Sequence, residues 1–379
     1  MGVIYADNAA TTRLSDAAFE AMKPFMLNEY GNASTLYKLG RSAHKAVENA
    51  RGVFAKGINA LPAEIYFTSG GTESDNWAIK GTAHRLASCG KKHIVTDNIE
   101  HHAVLNSAKA LEREGFEVTY VSADNNGLVR AEDVAAAIRP DTAMVSVMFA
   151  NNELGTIQPV AEIGSICRSA GVLFHCDAVQ AAGILPIDVK AMNIDLLSIS
   201  AHKFHGPKGV GVMYARRGCA PETYIDGGEQ ERGHRAGTEN VAGIVGAAAA
   251  FAEAISERNK KADRLCAMRD EIQSGLLKIP GSQVNGVTVP RLPGTLNMSF
   301  DGIDGQSLIF ELDLKGLAAS SGSACASGSV NPSHVLLALG LPYKLAHGSL
   351  RLSLGKYNTS DEAEMIIRIV SDTVAELRG

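Results

Sequence analysis

The stretch Leu196-Leu-Ser-Ile-Ser200-Ala-His-Lys203-Phe-His-Gly-Pro-Lys-Gly-Val-Gly is the part of the chain that decides the fold. Its first five residues predict an apolar strand, and Lys203 follows shortly after that strand ends. A lysine amine in this position, beside small and polar neighbours, can form a Schiff base with a carbonyl group. The stretch therefore predicts a carbonyl cofactor. Pyridoxal 5'-phosphate is the first to test, because its other requirements can be checked along the same chain.

A carboxylate suited to the pyridine nitrogen of this cofactor stands at Asp177. It ends the predicted strand 171–177. A carboxylate buried at a strand end is costly unless it is paired, and a protonated pyridine nitrogen would pair it. The alternative is an aspartate that only caps a helix or shapes a loop.

A candidate phosphate cradle follows the predicted strand 64–68, in the sequence Ser69-Gly-Gly-Thr-Glu-Ser74. Glycines allow backbone amides to approach an anion closely, and the helix that starts here offers unpaired N–H groups. Ser200 and His202, beside the lysine, could complete the cradle. The alternative is an ordinary strand-to-helix turn, which every α/β domain contains.

A histidine pair lies in Asp97-Asn-Ile-Glu-His101-His102, at the polar entry to a helix. An imidazole here can stack on the cofactor ring and, if it titrates near neutrality, exchange protons with substrate carbons. We choose His101 over His102 for this role. The alternative is a histidine that only packs or caps.

A second reactive centre is predicted at Cys325, within the small-residue run 319–329. A run of Gly, Ser and Ala has no bulky side chain to anchor it and is typical of a flexible tether. Few cysteine thiols are ionised at neutral pH, so a nucleophilic Cys325 needs a proton acceptor such as the cofactor or His101. The alternative is an inert surface cysteine.

Strand-like and helical segments alternate from about residue 65 to 214, as in a mostly parallel sheet of an α/β fold. Two helices are expected after Gly237, with a domain boundary near Arg258. We therefore predict a large domain over residues 15–258 and a smaller α+β domain over residues 1–14 and 259–379. A capping box at Thr359 predicts the start of a closing helix.

Composition excludes several functional classes. The net charge is −5 and no Lys/Arg-rich block occurs, which argues against nucleic acid as a partner. We find no apolar run long enough for a membrane span and no signal-peptide pattern, so we expect a cytoplasmic protein. The 6 scattered cysteines indicate neither a disulfide framework nor a metal site.

Eight motifs follow one another along the chain, and they begin at Asp7 (DNAATT), Thr68 (TSGGTESDN), Glu100 (EHHAV), Asn151 (NNELG), Asp177 (DAVQ), Ser200 (SAHK), Arg235 (RAGT) and Ser321 (SGSAC). Taken together, these motifs resemble the cysteine desulfurases of the NifS/IscS type, in the class V aminotransferase family, over essentially the whole chain. This resemblance implies the fold-type I architecture of pyridoxal phosphate enzymes, with a large domain around a seven-stranded type of sheet, and a homodimer.

The same resemblance implies a role for each matched cofactor residue. Lys203 would bond the cofactor, Asp177 would contact the pyridine nitrogen and Gln180 the ring oxygen. His101 would stack on the ring and act as acid or base. The remaining cofactor ligands implied are Gly71, Thr72, Asn152, Ser200 and His202, with Thr238 reaching the phosphate from the neighbouring subunit.

For the substrate, the resemblance implies that Asn152 and Arg351 clamp the carboxylate of L-cysteine, since a planar guanidinium can bind both oxygens. Cys325 would then attack the substrate sulfur, giving alanine and a persulfide that the loop carries to an acceptor protein. Two departures from the family pattern, at residues 33–37 and at Glu229, bear on substrate entry and acceptor choice.

Two alternatives stay open. The chain could be another pyridoxal phosphate enzyme, such as an aminotransferase or a selenocysteine lyase, in which Cys325 is incidental. It could also be a non-catalytic scaffold for sulfur transfer. The acceptor itself, an iron–sulfur scaffold or another carrier for thio-cofactor or tRNA biosynthesis, is not identified by the sequence.

Overall fold

A computed structural model describes residues 2–286, 289–321 and 332–379. Within these ranges the chain forms two sheet systems, and no helix is both long and apolar enough to cross a bilayer. The strands are β1 Ile4–Tyr5, β2 Ile65–Thr68, β3 His93–Asp97, β4 Glu117–Val121, β5 Thr142–Ser146, β6 Leu173–Asp177, β7 Leu196–Ser200, β8 Gly211–Ala215, β9 Ser282–Val284, β10 Thr295–Phe300, β11 Leu317–Ala318 and β12 Ser349–Ser353.

Helices cover both faces of the larger sheet and one side of the smaller. A π-helical turn, Trp77–Gly81, joins α3 to α4. The helices are α1 Asp16–Leu27, α2 Lys38–Gly57, α3 Gly71–Asn76, α4 Thr82–Ala87, α5 His102–Arg113, α6 Ala131–Ala137, α7 Val160–Ala170, α8 Val241–Leu276, α9 Gly305–Leu314, α10 His334–Ala338, α11 Tyr343–His347 and α12 Glu362–Arg378.

The larger sheet has seven strands in the order β2-β8-β7-β6-β5-β3-β4. Only β8 runs against its neighbours, pairing antiparallel with β2 and with β7. One core packs on one face around Phe54, Phe174 and Phe251, and a second packs on the other face around Trp77 and Ile94. The prediction of a mostly parallel seven-stranded sheet is confirmed.

The smaller sheet is built from both ends of the chain. Strands β12, β10 and β9 form an antiparallel sheet, and β1 pairs in parallel with β11. Single bridges from Asp7 to Ser353 and from Ser320 to Arg351 join the two pieces. This arrangement brings the amino-terminal segment next to β12.

The region after Gly237 differs from the prediction of two helices, because α8 runs unbroken over Val241–Leu276. Residues 247–274 contain neither proline nor glycine, so nothing ends the helix where the charged run begins. The predicted domain boundary near Arg258 falls inside this helix and stays a prediction. At the carboxyl end, the Thr359 N–H donates to the Glu362 side chain, which is one half of the predicted capping box. The N-cap of α12 is nevertheless Asp361 and not Thr359.

Candidate active site

A cavity of about 700 Å³ lies at the carboxyl edge of the parallel strands. The ends of β6 and β7 supply Asp177 and Ser200, because parallel strands bring their carboxyl ends to one edge of a sheet. Strand β12 of the smaller sheet adds Arg351. Ten of the predicted site residues line this one cavity: Gly71, Thr72, His101, Asn152, Asp177, Gln180, Ser200, His202, Lys203 and Arg351.

Two predicted site residues do not line the cavity in this structure. Thr238 borders a separate hollow of about 130 Å³, together with Ser69 and Arg235. Cys325 lies outside the described residues, and so does most of its small-residue run. The roles predicted for these two residues therefore stay predictions.

Asp177 sits at the end of β6 in a buried position. Its Oδ1 accepts the Val179 N–H at 2.8 Å. Burial raises the pKa of this carboxyl to about 6, although the Val179 hydrogen bond and the nearby charge of Lys203 act in the opposite direction. A bound cation would stabilise the ionised form, so the group suits a protonated ring nitrogen.

The Lys203 amine is held by the amino-terminal segment. Its Nζ donates to the backbone carbonyls of Ala9 and Ala10, the latter at 2.9 Å. Gln180 Nε2 donates to the same Ala9 carbonyl at 3.0 Å. Residues 9 and 10 therefore form one wall of the cavity beside the lysine, a contact between residues 194 positions apart that the sequence did not reveal.

His101 is the N-cap of α5, and its Nδ1 accepts the Ala103 N–H at 3.1 Å. Burial lowers the pKa of this imidazole to about 4, with a further contribution from Lys203. The expectation that His101 titrates near neutrality is therefore not met in this structure. A neutral ring that accepts through Nδ1 carries its proton on Nε2.

The proposed phosphate end combines a helix start with two side chains from the β7 exit. At Gly71 an added Cβ would lie 2.6 Å from Val179 Cγ2, so only glycine allows α3 to start this close to β6. His202 Nδ1 is 3.1 Å from Thr11 Oγ1, and burial lowers its pKa to about 4. The unpaired N–H groups of the first helical turn suit an anion.

Arg351 is almost completely buried in β12. Its Nη2 donates to Asp7 at 2.8 Å, and its Nη1 donates to the Asn152 carbonyl at 3.0 Å. Its Nε is buried with no hydrogen-bond partner in the described part of the chain. A buried N–H of a charged group without a partner suits a ligand that brings an acceptor, such as a carboxylate.

A group of buried acids lies beside Asp177 and was not predicted from the sequence. Asp75 lies on α3, one helical turn after Gly71. Asp97 is the last residue of β3, and Glu100 lies between β3 and α5. Burial raises the pKa of Asp75 and of Glu100 well above the usual range. The four-residue spacing from Gly71 was the signal for Asp75, because it places both residues on one helix face.

The sequence profile of the aminotransferase class-V family matches residues 4–366. The chain belongs to this family. Its cofactor is pyridoxal 5'-phosphate, and the Asp177 carboxylate, the glycine-lined helix start and Lys203 fit that group. The predicted resemblance to NifS/IscS-type enzymes is confirmed by the following matches.

A cysteine desulfurase IscS of Methanosarcina thermophila is 50% identical over 376 residues, which cover 99% of this chain and 93% of that one. A solved NifS-like protein is 40% identical, with a TM-score of 0.93 over 99% of this chain and 100% of the other. A structure of SspA in complex with cysteine is 36% identical, with a TM-score of 0.83 over 94% and 100% of the two chains.

Proposed function

We propose that this protein is a cysteine desulfurase that converts L-cysteine to L-alanine and takes the sulfur onto Cys325 as a persulfide. The observation that carries this proposal is the cavity that unites Lys203, Asp177 and Arg351. The lysine suits the aldehyde group of pyridoxal phosphate, the aspartate suits its ring nitrogen, and the arginine suits the carboxylate of an amino acid. The full-length similarity to cysteine desulfurases supports L-cysteine as that amino acid.

The residues that would hold these parts of the cofactor lie in three chain segments. Lys203 would bond its aldehyde carbon, Asp177 would pair with its ring nitrogen, and Gln180 would contact the ring oxygen. Its phosphate would lie at the α3 start, with Ser200 and His202 as further donors. When bound, this cofactor supplies an electron sink for the bonds at the substrate Cα.

The substrate carboxylate would bind at Arg351 and Asn152. Asp7 and the Asn152 carbonyl fix the plane of the guanidinium, which leaves Nε for the incoming oxygen. His101, neutral and protonated on Nε2, donates a hydrogen bond from that atom. The Lys203 amine would be the base that moves the Cα proton of the substrate.

Sulfur transfer requires the Cys325 thiolate to attack the substrate sulfur. A sulfur–sulfur bond forms as the carbon–sulfur bond breaks, and the carbon fragment keeps the electron pair, so no outside oxidant is needed. The described residues on both sides of the segment that contains Cys325 contact residues in or next to the cavity. Ser320 exchanges backbone hydrogen bonds with Arg351, and His334 Nε2 lies 3.1 Å from the Glu100 carbonyl oxygen.

A homodimer and a sulfur-acceptor protein belong to this proposal. Thr238 borders a hollow outside its own chain's cavity, which supports the expectation that it serves the cavity of a second copy. The exposed apolar side chains of Tyr30 and Leu36 would gain from burial at such an interface. An iron–sulfur scaffold or another carrier is the expected acceptor of the persulfide.

Two measurements test the proposal. Borohydride reduction followed by peptide mass spectrometry should place the pyridoxyl group on Lys203, and a label elsewhere would refute the assignment. Cys325→Ser should retain the yellow cofactor and lose alanine and sulfide formation from L-cysteine. Unchanged turnover would favour an enzyme in which Cys325 is incidental, and a colourless wild-type protein would favour a scaffold.

A further inference from the structure

The floor of the cavity contains more acidic groups than one ring nitrogen requires. One carboxyl oxygen of Asp75, one of Asp177 and one imidazole nitrogen of His101 lie within 4.8 Å of one another. Both carboxyl groups are buried, and Glu100 and Asp97 lie buried beside them. Two carboxylates this close in the interior do not both ionise without added positive charge.

Among the residues that the structure describes, little positive charge lies beside these four acids. Lys203 favours the ionised form of Asp177. The two nearby imidazoles supply none, because burial lowers the pKa of His101 to about 4 and that of His175 to about 3. Lys203 therefore compensates Asp177 within a group of four buried acidic side chains, and this shortage of positive charge favours protonation of some of the others.

The surroundings of Asp75 distinguish it from Asp177. Burial raises the pKa of the Asp75 carboxyl group and the Ser198 hydroxyl acts in the opposite direction, but Asp75 Oδ1 has no hydrogen-bond partner among the described residues. The nearest imidazole nitrogen, His175 Nε2, is 3.6 Å away and lies 3.1 Å from Ser198 Oγ. The other ring nitrogen, His175 Nδ1, is 2.8 Å from Ser146 Oγ. An ionised Asp75 would keep one buried oxygen unsatisfied, whereas a protonated one avoids most of that cost.

We propose that Asp75 is a positioning residue that stays protonated, so that Asp177 alone carries the negative charge that holds the ring nitrogen of the cofactor. This inference rests on the proposed function, because it assumes that role for Asp177. The shape and polarity of a neutral Asp75 matter, and its negative charge does not. Asparagine, which has the same shape and no charge, should replace it.

The protonation of Asp75 has a consequence for stability. Asp75 is neutral in the folded protein and ionised in the unfolded chain above about pH 4. Its folded-state pKa is raised, so its contribution to stability is complete below that pH and is lost as the pH rises. Removing the ionisable group should therefore stabilise the protein at neutral pH.

The first test measures thermal unfolding of the protein with bound pyridoxal phosphate between pH 5 and pH 8. Asp75→Asn should raise the midpoint relative to wild type, by an amount that grows with pH. The matched control is Asp372→Asn, an exposed aspartate on α12, which should not change the midpoint. An Asp75→Asn protein that is less stable than wild type at neutral pH would overturn the proposal.

The second test measures cofactor binding by absorbance. Asp75→Asn should bind pyridoxal phosphate within about twofold of wild type and keep the pH profile of its absorbance, whereas Asp177→Asn should bind at least about tenfold more weakly. A tenfold loss in Asp75→Asn as well would refute a neutral Asp75. If Asp177→Asn bound pyridoxal phosphate as tightly as wild type, with Lys203 still labelled after borohydride reduction, the role of Asp177 would be refuted. The effect of Asp75→Asn on the unfolding midpoint would not be affected by that outcome.

A third measurement does not depend on the folding of any variant of Asp75. The infrared spectrum of the wild-type protein at pH 7 should contain the carbonyl band of a protonated carboxylic acid. This band should weaken in Asp75→Asn if that variant folds. A wild-type spectrum with ionised carboxylate bands only would contradict the proposal. Failure of Lys203 to bond the cofactor would refute the proposed function while leaving this band unchanged.

Discussion

Two buried groups of charged side chains in the large sheet system are built in opposite ways. Around Arg51 each guanidinium nitrogen has a partner: two donate to Glu231, at 2.8 and 3.0 Å, and Nε donates to Glu48 at 2.9 Å. The Phe67 N–H also donates to Glu231, at 2.9 Å. Around Asp177, by contrast, Asp75 keeps an oxygen without a partner in the described part of the chain.

The difference separates a structural contact from a binding site. A buried ion pair with complete hydrogen bonding fixes the elements that carry it, although desolvation limits its net contribution. A buried polar atom without a partner costs about 1–3 kcal/mol, which is tolerated where a ligand or a proton will compensate it. Arg351 is intermediate, because two of its nitrogens are paired and its Nε is not.

The largest expected effect comes from breaking the complete pair. Glu231→Gln leaves the buried Arg51 charge with only the half-exposed Glu48 as counter-charge and should lower the free energy of unfolding by about 3–5 kcal/mol. The pair also holds a turn in which Glu231 and Arg232 have φ values of 46° and 61°, a conformation that costs free energy in non-glycine residues. Urea unfolding followed by circular dichroism measures the change.

The matched control for this prediction is Glu229→Gln, an exposed glutamate of the same loop. It should change the free energy of unfolding by less than about 0.5 kcal/mol. Equal losses in the two variants would show that the loop tolerates either change. In that case the contrast between complete and incomplete buried groups would carry no energetic meaning.

A smaller effect is expected at Arg351, and it should appear in substrate binding. Arg351→Lys should raise KM for L-cysteine by at least about tenfold, because one ammonium cannot hold Asp7, the Asn152 carbonyl and a carboxylate in the same plane. The absorbance of the bound cofactor should not change. Steady-state kinetics against L-cysteine measures KM and kcat separately.

Arg368→Lys, an exposed change on α12, is the control for Arg351→Lys. It should leave both kinetic constants unchanged. An Arg351→Lys protein that lost kcat with an unchanged KM would contradict a role in ground-state carboxylate binding. The unpartnered Nε would then have to be explained by the packing of β12.

The sequence predicted those parts of the site that follow directly from strand ends. Asp177, Ser200 and Lys203 could be placed together because consecutive parallel strands bring their ends to one edge. The pairing of Arg351 with Asp7 could not be predicted, since it joins the two ends of the chain across 344 positions. Its cause is the smaller sheet, whose strand order no local pattern reveals.

Glu231 and Asp75 were missed for different reasons. Glu231 adopts a left-handed backbone conformation that residue type alone does not indicate, since such positions usually hold glycine. Asp75 lay within a quoted motif, but its burial depends on how closely α3 packs on β7 and β8. That distance is set by Gly71, and only the three-dimensional structure shows what a side chain there would meet.

The smallest expected effect tests whether burial, and not charge pairing itself, separates these groups. Lys315 Nζ lies 2.6 Å from Glu376 Oε2, a shorter contact than any in the Arg51 group, but this pair lies at the surface between α9 and α12. Lys315→Met should lower the free energy of unfolding by no more than about 1 kcal/mol, since water and salt screen the attraction. The difference from wild type should shrink further in concentrated salt. If Lys315→Met lowered the free energy of unfolding as much as Glu231→Gln, the distance between the charges would matter more than their burial. Burial would then not explain the difference between the two buried groups.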